Sequence, residues 1–310
     1  METLVVNQLE VPQLLPMREC IDVMARAFGA LARGEATMPQ RQIVWTPDRS
    51  GALGLMPAYA SVLGALGVKA VTFFPRNEGT EIDSHQGAVL LFESGRGRLL
   101  AVIDATSVTA IRTAAVSGLA TRLLAREDAG DLAIVGSGVQ ARTHLEAIAI
   151  VRTLRSVRVA SKTPERARAF SERESRRHGI PITPCATVRE AVERADIVCA
   201  TTSAREPVVR GEWLAPGCHL NAVGSSVATA RELDADAIRR SRFFVDRREA
   251  ALAEAGDFLL AKKEGAVGDD HIAAELGEVV VGSALGRRSA DEITVFKSVG
   301  LAIEDVAAAQ

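Results

Sequence analysis

Three basic residues stand in sequence contexts that are otherwise apolar or turn-like. Lys69 lies within LGVKAVTFF, Arg112 within SVTAIRTAAVSGLA, and Arg41 within MPQRQIVW. A buried guanidinium without an anion is costly, so Arg112 calls for an internal Asp or Glu or for the carboxylate of a bound molecule. Lys69 has a plainer alternative, a lysine on an edge strand that discourages pairing with another chain. For Arg41 the plainer alternative is a surface arginine. Two or three such cations acting together suit a small carboxylate gripped in bidentate fashion.

A second group of residues has a more specific pattern. Ala133-Ile134-Val135-Gly136-Ser137-Gly138-Val139-Gln140-Ala141 reads G-x-G-x-x-A, directly after an apolar strand and directly before a helix. Gly136 permits a tight turn, Gly138 lets a pyrophosphate approach the backbone, and the small Ala141 permits close helix–strand packing. The pyrophosphate then meets the N–H groups and positive dipole end of the helix. This context predicts dinucleotide binding. At the end of the next strand an acidic residue commonly accepts from the ribose 2′-hydroxyl. Here that strand ends Ala160-Ser161-Lys162-Thr163, with no carboxylate. Hydroxyls and a lysine suit a 2′-phosphate, so NADP(H) is favoured, with NAD(H) possible.

These residues need elements to position them. A helix is expected from Met17 to Gly34, a strand from Gly67 to Pro75, and a hairpin from Ala88 to Ala105 around Ser94–Gly97. A largely buried helix follows, Ser107 to Arg126, with Thr106 or Ser107 as its cap. This first third reads as an α+β unit with mostly antiparallel strands. From Asp131 the pattern alternates between strands, at 131–138, 157–161, 196–202 and 219–225, and helices, at 141–153, 164–178 and 188–194. That alternation implies parallel βαβ units. The expected division is 1–125 and 126–292, with 293–310 returning to the first domain.

The 310 residues are 47% hydrophobic and 25% charged, and 37 basic against 39 acidic residues leave a net charge of −2. A length of this order suggests two domains. The balance excludes binding of nucleic acid through bulk positive charge and a largely disordered chain. No apolar run is long enough for a membrane span, and METLVVNQLE lacks the pattern of a signal peptide. Cys20, Cys185, Cys199 and Cys218 form no CxxC pair and no cluster with histidine, so neither a disulfide framework nor a metal site is expected. The expectation is a soluble, cytoplasmic protein.

At these residues the sequence resembles the ornithine cyclodeaminase/mu-crystallin family over nearly its whole length. The matching segments are MPQR with Arg41, LMPAY with Pro57, GVKAVTFFPRN with Lys69, DATSVTAIRTAAVSGLATRLLAR with Arg112, and GSGVQA. Further on they are TTSAREPV from Thr201, HLNAVGSSVATARELD from His219, AEAGD ending at Asp257, and VFKSVG ending at Gly300. The resemblance implies an α/β protein with a Rossmann-type dinucleotide-binding domain and an α+β substrate-binding and dimerisation domain, hence a homodimer. It implies that Arg41, Lys69 and Arg112 surround a substrate carboxylate. It also implies that Gly138, Val139, Gln140, Ser161, Thr201, Val223, Lys297 and Ser298 lie along the cofactor.

Two departures bear on the reaction. The family's ornithine cyclodeaminases carry an aspartate where Ser226 stands here, and a glutamate where Gly54 stands. A serine hydroxyl is a poor base near neutral pH. Ser226 and the SKT segment resemble the mu-crystallin branch, which reduces cyclic ketimines with NADPH. The reading is therefore reduction of a C=N bond conjugated to a carboxylate. In it Arg112 and Arg41 clamp the carboxylate, Lys69 donates a proton or orients the donor water, and Ser226 orients the imine nitrogen or a water. The rivals are an alanine-type amino-acid dehydrogenase, an ornithine cyclodeaminase, and a non-enzymatic NADPH-dependent binding protein.

Overall fold

The structure, a computed structural model, describes residues 2–77 and 80–310. Compactness separates two units, one holding residues up to Ala115 together with Leu301–Gln310, the other Val116–Gly300. The division falls inside the helix Ala105–Leu124 rather than at residue 125. That helix is apolar on every side, so its sequence carries no mark of a boundary. The return to the first unit begins at Leu301 rather than 293. Thr294–Lys297 is a strand of the second unit, and all four of its residues are buried.

The first unit is built on a seven-stranded sheet. Its strands are β1 (Leu4–Val6), β2 (Ala36–Thr37), β3 (Gln42–Trp45), β4 (Ala52–Ala60), β5 (Ala65–Phe73), β6 (His85–Glu93) and β7 (Leu99–Asp104). The order is β1-β7-β6-β5-β4-β2, with β3 also on β4, and only the β1–β7 pair is parallel. Side chains alternate along β5. Ala65, Gly67 and Lys69 are buried, while Leu66, Val68 and Ala70 are half-buried on the opposite face. The helices Met17–Ala32 and Ala302–Ala309 pack together, and the latter lies on β4, β5 and β6. Gly67 is dictated by that packing, because a Cβ there would meet the Leu90 carbonyl at 2.6 Å and the Val306 methyls at 3.3 Å.

The β6–β7 turn falls where expected. Glu93 accepts from the N–H groups of Gly95 and Arg96 at 2.8 and 2.9 Å, and Gly97 takes a φ of +72°. The helix after β7 is capped by neither Thr106 nor Ser107. Asp104 Oδ1 accepts from the Ser107 N–H at 2.7 Å, while the two hydroxyls reach the carbonyls of His85 and Gln8.

The second unit carries eight parallel strands: β8 (Asp131–Val135), β9 (Ser156–Ala160), β10 (Ile182–Pro184), β11 (Ile197–Ala200), β12 (His219–Ala222), β13 (Arg242–Val245), β14 (Ile272–Glu275) and β15 (Thr294–Lys297). Their order is β10-β9-β8-β11-β12-β15-β13-β14. Both faces are covered, as a parallel sheet requires. Leu132 and Ile134 of β8 join one core with Leu145, Ile148 and Phe170, and Ala133 and Val135 join the other with Leu220 and Phe258. The order reverses between β8 and β11, the switch point at which such sheets bind ligands beyond their strand ends.

Among the described residues no helix is long and apolar enough to cross a membrane, and no group of His, Cys, Asp and Glu could hold a metal ion.

Candidate active site

At the switch point, β8 runs into the glycine turn and then the helix Val139–Val151. Gly136 has a φ of +117°, and a Cβ on it would meet the carbonyl and hydroxyl oxygens of Thr201 at 2.8 Å. Gly138 is different. Its backbone is extended, and a Cβ there would meet nothing within 4 Å. The turn therefore closes tightly on one side and leaves an open approach at the helix N-terminus on the other. Gln140 Oε1 is buried with no hydrogen-bond partner among the described residues. The open N–H groups at the helix N-terminus fit a dinucleotide pyrophosphate, while the Gln140 oxygen, an acceptor, calls for a donor.

The strand β9 ends beside this turn, and the Ser161 and Ser137 hydroxyls are 2.7 Å apart. Lys162 is exposed. Thr163 caps the helix Pro164–His178, accepting from the Arg166 N–H at 3.5 Å. Thr201, just beyond β11, donates to the Val135 carbonyl at 3.0 Å. Val223 and Ser298 bond through their backbone N–H groups to the carbonyls of Ala200 and Ala222, at 2.9 and 3.1 Å. Lys297 is fully buried, its ammonium 2.9 Å from Asp257 Oδ2 and hydrogen-bonded to the Gly224 carbonyl. Ser226 is exposed on the loop after β12.

In the first unit Lys69 and Arg112 come together on two carboxylates. Lys69 occupies the interior strand β5, not a sheet edge, and is 3% exposed. Its Nζ lies 2.7 Å from Asp305 Oδ2 and 3.4 Å from the Thr109 hydroxyl. Arg112 donates from Nε to Asp305 Oδ1 at 2.9 Å and from Nη1 to Glu304 Oε2. Arg112 thus has internal acidic partners, the first of the two options that its sequence context leaves open.

The charges settle one another. Burial lowers the Lys69 pKa to about 8, Asp305 opposing the shift and Arg112 adding to it. Burial works to raise Asp305, but the charges of Arg112 and Lys69 outweigh it and hold its carboxyl below the usual range. Burial also works against the Arg112 charge, and Asp305 and Glu304 more than offset it, so the guanidinium stays protonated. Arg41 is half-buried, one residue ahead of β3. Strand pairing places Gln42 opposite Leu55, and Met56 opposite Lys69. The register thus leads Arg41 toward the Met56–Lys69 row.

Glu304, Asp305 and Glu232 are absent from the set that sequence reasoning assembled. The first two had a signal: LAIEDVAAA sets adjacent carboxylates in an apolar helix, the same anomaly that marks Arg112. Glu232 had none, because ARELD reads as an ordinary polar loop.

The glycine turn at the switch point of a doubly wound parallel sheet defines a Rossmann-type dinucleotide-binding protein. The chain belongs to the ornithine cyclodeaminase/mu-crystallin family, which it matches over residues 1–310. It is 43% identical over 277 residues to the ketimine reductase mu-crystallin of Mus musculus, covering 89% of this chain and 84% of that one. The structure of Thermococcus litoralis Delta(1)-pyrroline-2-carboxylate reductase in complex with NADH and L-proline superposes with a TM-score of 0.96 at 41% identity, covering 99% of this chain and 95% of that chain. An archaeal alanine dehydrogenase dimer with bound NAD gives 0.94 at 34% identity, covering 100% and 94%.

Proposed function

We propose that this protein is an NAD(P)H-dependent reductase of small imino acids, acting on a C=N bond conjugated to a carboxylate in a cyclic or open-chain substrate. The observation that carries the reading is the buried Lys69 ammonium, hydrogen-bonded within a cation–carboxylate cluster and lowered to about 8. A group that titrates there gives up a proton readily near neutral pH. The relatives that reduce ketimines and pyrroline-2-carboxylate support the choice of reaction.

A nicotinamide dinucleotide, when bound, supplies the hydride. The chain would hold it through the Gly136–Gly138 turn, Val139 and Gln140, with Thr201, Val223 and Ser298 along its length. Ser161, Lys162 and Thr163 favour the 2′-phosphate of NADP(H) over NAD(H). Arg112, which as a guanidinium has N–H donors beyond those given to Asp305 and Glu304, and Arg41 grip the substrate carboxylate. Lys69 passes its proton to the imine nitrogen, which makes the neighbouring carbon a better hydride acceptor and leaves the lysine neutral. Asp305 holds Lys69 in place and favours its reprotonation. Ser226 orients the nitrogen or a water.

Both carboxylates of the cluster are committed to Arg112 and Lys69, so the cluster offers none to a second substrate ammonium. This disfavours ornithine as the substrate.

The reading includes a homodimer. The face of the first sheet opposite Lys69 carries the cross-strand row Pro57–Val68–Leu90–Val102–Val5, apolar throughout and half-buried or exposed. Such a face suits a second copy of the chain, and the alanine dehydrogenase relative is a dimer.

The test is a panel of pyrroline-2-carboxylate, piperideine-2-carboxylate and 2-oxo acids with ammonia or amines, assayed by NADPH and NADH oxidation, with alanine plus NAD and ornithine plus NAD beside it. Reduction of at least one cyclic imino acid is expected. Turnover of alanine or ornithine alone would overturn the reading.

A further inference from the structure

The buried carboxylate of Glu232 has no part in the reaction outlined above, yet it joins two loops of the second unit. Thr202 and Gly224 stand at equivalent places, each two residues beyond the end of its strand, and the strand ends Ala200 and Ala222 are paired. Glu232 Oε1 accepts from the Thr202 N–H at 2.5 Å and Oε2 from the Gly224 N–H at 2.7 Å. Lys297, on the other neighbour of β12, donates to the Gly224 carbonyl. Asp257 anchors the group from behind, taking the Glu232 N–H at 2.7 Å on Oδ1 and facing Lys297 with Oδ2.

Gly224 is thus held at both its N–H and its carbonyl, with no room for a side chain. A Cβ there would come within 2.2 Å of the Thr202 carbonyl and 2.6 Å of the Glu232 carboxyl carbon. The next residue, Ser225, is forced to a φ of +59°, a conformation that a non-glycine residue keeps only when its surroundings fix it. Ser226 follows directly.

We infer that Glu232 is a positioning residue: its carboxylate, held between Asp257 and Lys297, sets the loops after β11 and β12, and with them Thr201 and Val223, in the arrangement that receives the dinucleotide. The inference rests on the dinucleotide-binding part of the proposed function and not on the substrate.

The charged groups facing Glu232 are Asp257 and Lys297. Burial raises its carboxyl to about 7, Asp257 pushing the same way, while Lys297 and the hydrogen bonds from Thr202 oppose the rise. Above that pH both oxygens accept as a carboxylate; below it one carries a proton and its N–H bond loses the charge that strengthens it. Dinucleotide binding therefore tightens as pH rises through about 7.

The test is calorimetric titration of the unmodified protein with NADH, chosen because it lacks a titrating 2′-phosphate, between about pH 6 and pH 8.5. The expected Kd is about tenfold weaker at the acid end, the ratio of ionised fractions for such a group. Glu232→Gln should bind weakly and without that pH dependence, while Glu232→Asp should recover a pH-dependent limb. Asp257→Asn should move the midpoint to lower pH, and this arm decides the matter if Glu232→Gln does not fold. A pH-independent Kd in the unmodified protein, a Glu232→Gln variant with unaltered titration, or no NADH binding at any pH would overturn the inference. Failure to reduce any imino acid while these titrations behave as described would overturn only the substrate reading.

Discussion

Asp305 is shared by two cations: its Oδ2 lies 2.7 Å from Lys69 Nζ and its Oδ1 2.9 Å from Arg112 Nε, with all three side chains nearly or wholly buried. Taking charges out of water is tolerable only while each keeps a partner. Asp305→Asn should therefore cost about 3–5 kcal/mol of unfolding free energy, the range for breaking a buried pair from one side. Chemical denaturation with matched m-values measures it. A loss under about 1 kcal/mol would mean that the cluster is more hydrated than its burial indicates.

The Lys69 titration gives opposite pH profiles in the two directions of the reaction. Reduction needs the ammonium as a proton donor, so its rate should fall as pH rises through about 8. Oxidation of the cyclic amino acid needs the neutral amine, so its rate should rise over the same interval. The stability linkage has its own sign. A lysine lowered from 10.5 to about 8 binds fewer protons folded than unfolded between those values, so its contribution to stability grows as pH rises from about 8 toward 10.5. Rate profiles in both directions with the same limb would remove Lys69 from the proton transfer.

The two glycines of the dinucleotide turn separate folding from binding. Gly136→Ala combines a positive φ with a 2.8 Å approach to Thr201 and should cost about 2 kcal/mol or more of stability. Gly138→Ala meets no protein atom, and its backbone suits alanine, so stability should stay level or rise by about 0.4–1 kcal/mol. The same methyl occupies the approach to the helix N-terminus, so dinucleotide affinity should drop at least about tenfold, the equivalent of 1.4 kcal/mol. Thermal melts paired with calorimetry read both quantities. Undiminished affinity in Gly138→Ala would place the pyrophosphate elsewhere.

Much of this was legible in the chain, for identifiable reasons. The glycine turn could be read because strand, turn and helix follow one another within a few residues. Arg112 stood out because a cation on an apolar helix demands a partner. Glu304 and Asp305 carry the same kind of mark, but their pairing with Arg112 arises only through tertiary packing, which local sequence does not encode. Strands β3 and β4 were not predicted. Ala52–Ala60 holds three alanines, a glycine and a proline, a composition that reads as turn until its nine residues pair between β5 and the short strands beside it. The Asp104 cap was missed because the aspartate also ends the apolar strand LLAVID, where its strand role hides its capping role.

In the proposed reading the segment after β9 sets the choice of cofactor. Ser161 lies against Ser137 at the mouth of the turn, and the Thr163 oxygen caps the next helix. NADPH should therefore bind more tightly than NADH. Ser161→Asp should weaken NADPH at least about tenfold, since it replaces a donor by a like charge, and should reverse the preference. Equal Kd values for the two dinucleotides in the unmodified protein would refute the assignment.

Ornithine provides the sharpest separation between the reductase reading and its nearest rival. A cyclodeaminase must oxidise its substrate, retain the side-chain ammonium, close the ring, and return the hydride. That sequence calls for a carboxylate to bind the ammonium and move protons. By the resemblance, Ser226 and Gly54 stand at the two positions where the family's cyclodeaminases carry acids, and the carboxylates of Glu304 and Asp305 are taken by Arg112 and Lys69. An imine reductase receives its C=N bond ready made and needs carboxylate anchoring, a hydride and one proton. Ammonia release from ornithine with NAD should therefore be negligible beside the reduction of a cyclic imino acid. Ser226→Ala should slow that reduction by about tenfold or less, the worth of one neutral hydrogen bond. Robust ammonia release from ornithine, without imine reduction, would transfer the protein to the cyclodeaminase branch of its family and leave Ser226 without the role given to it here.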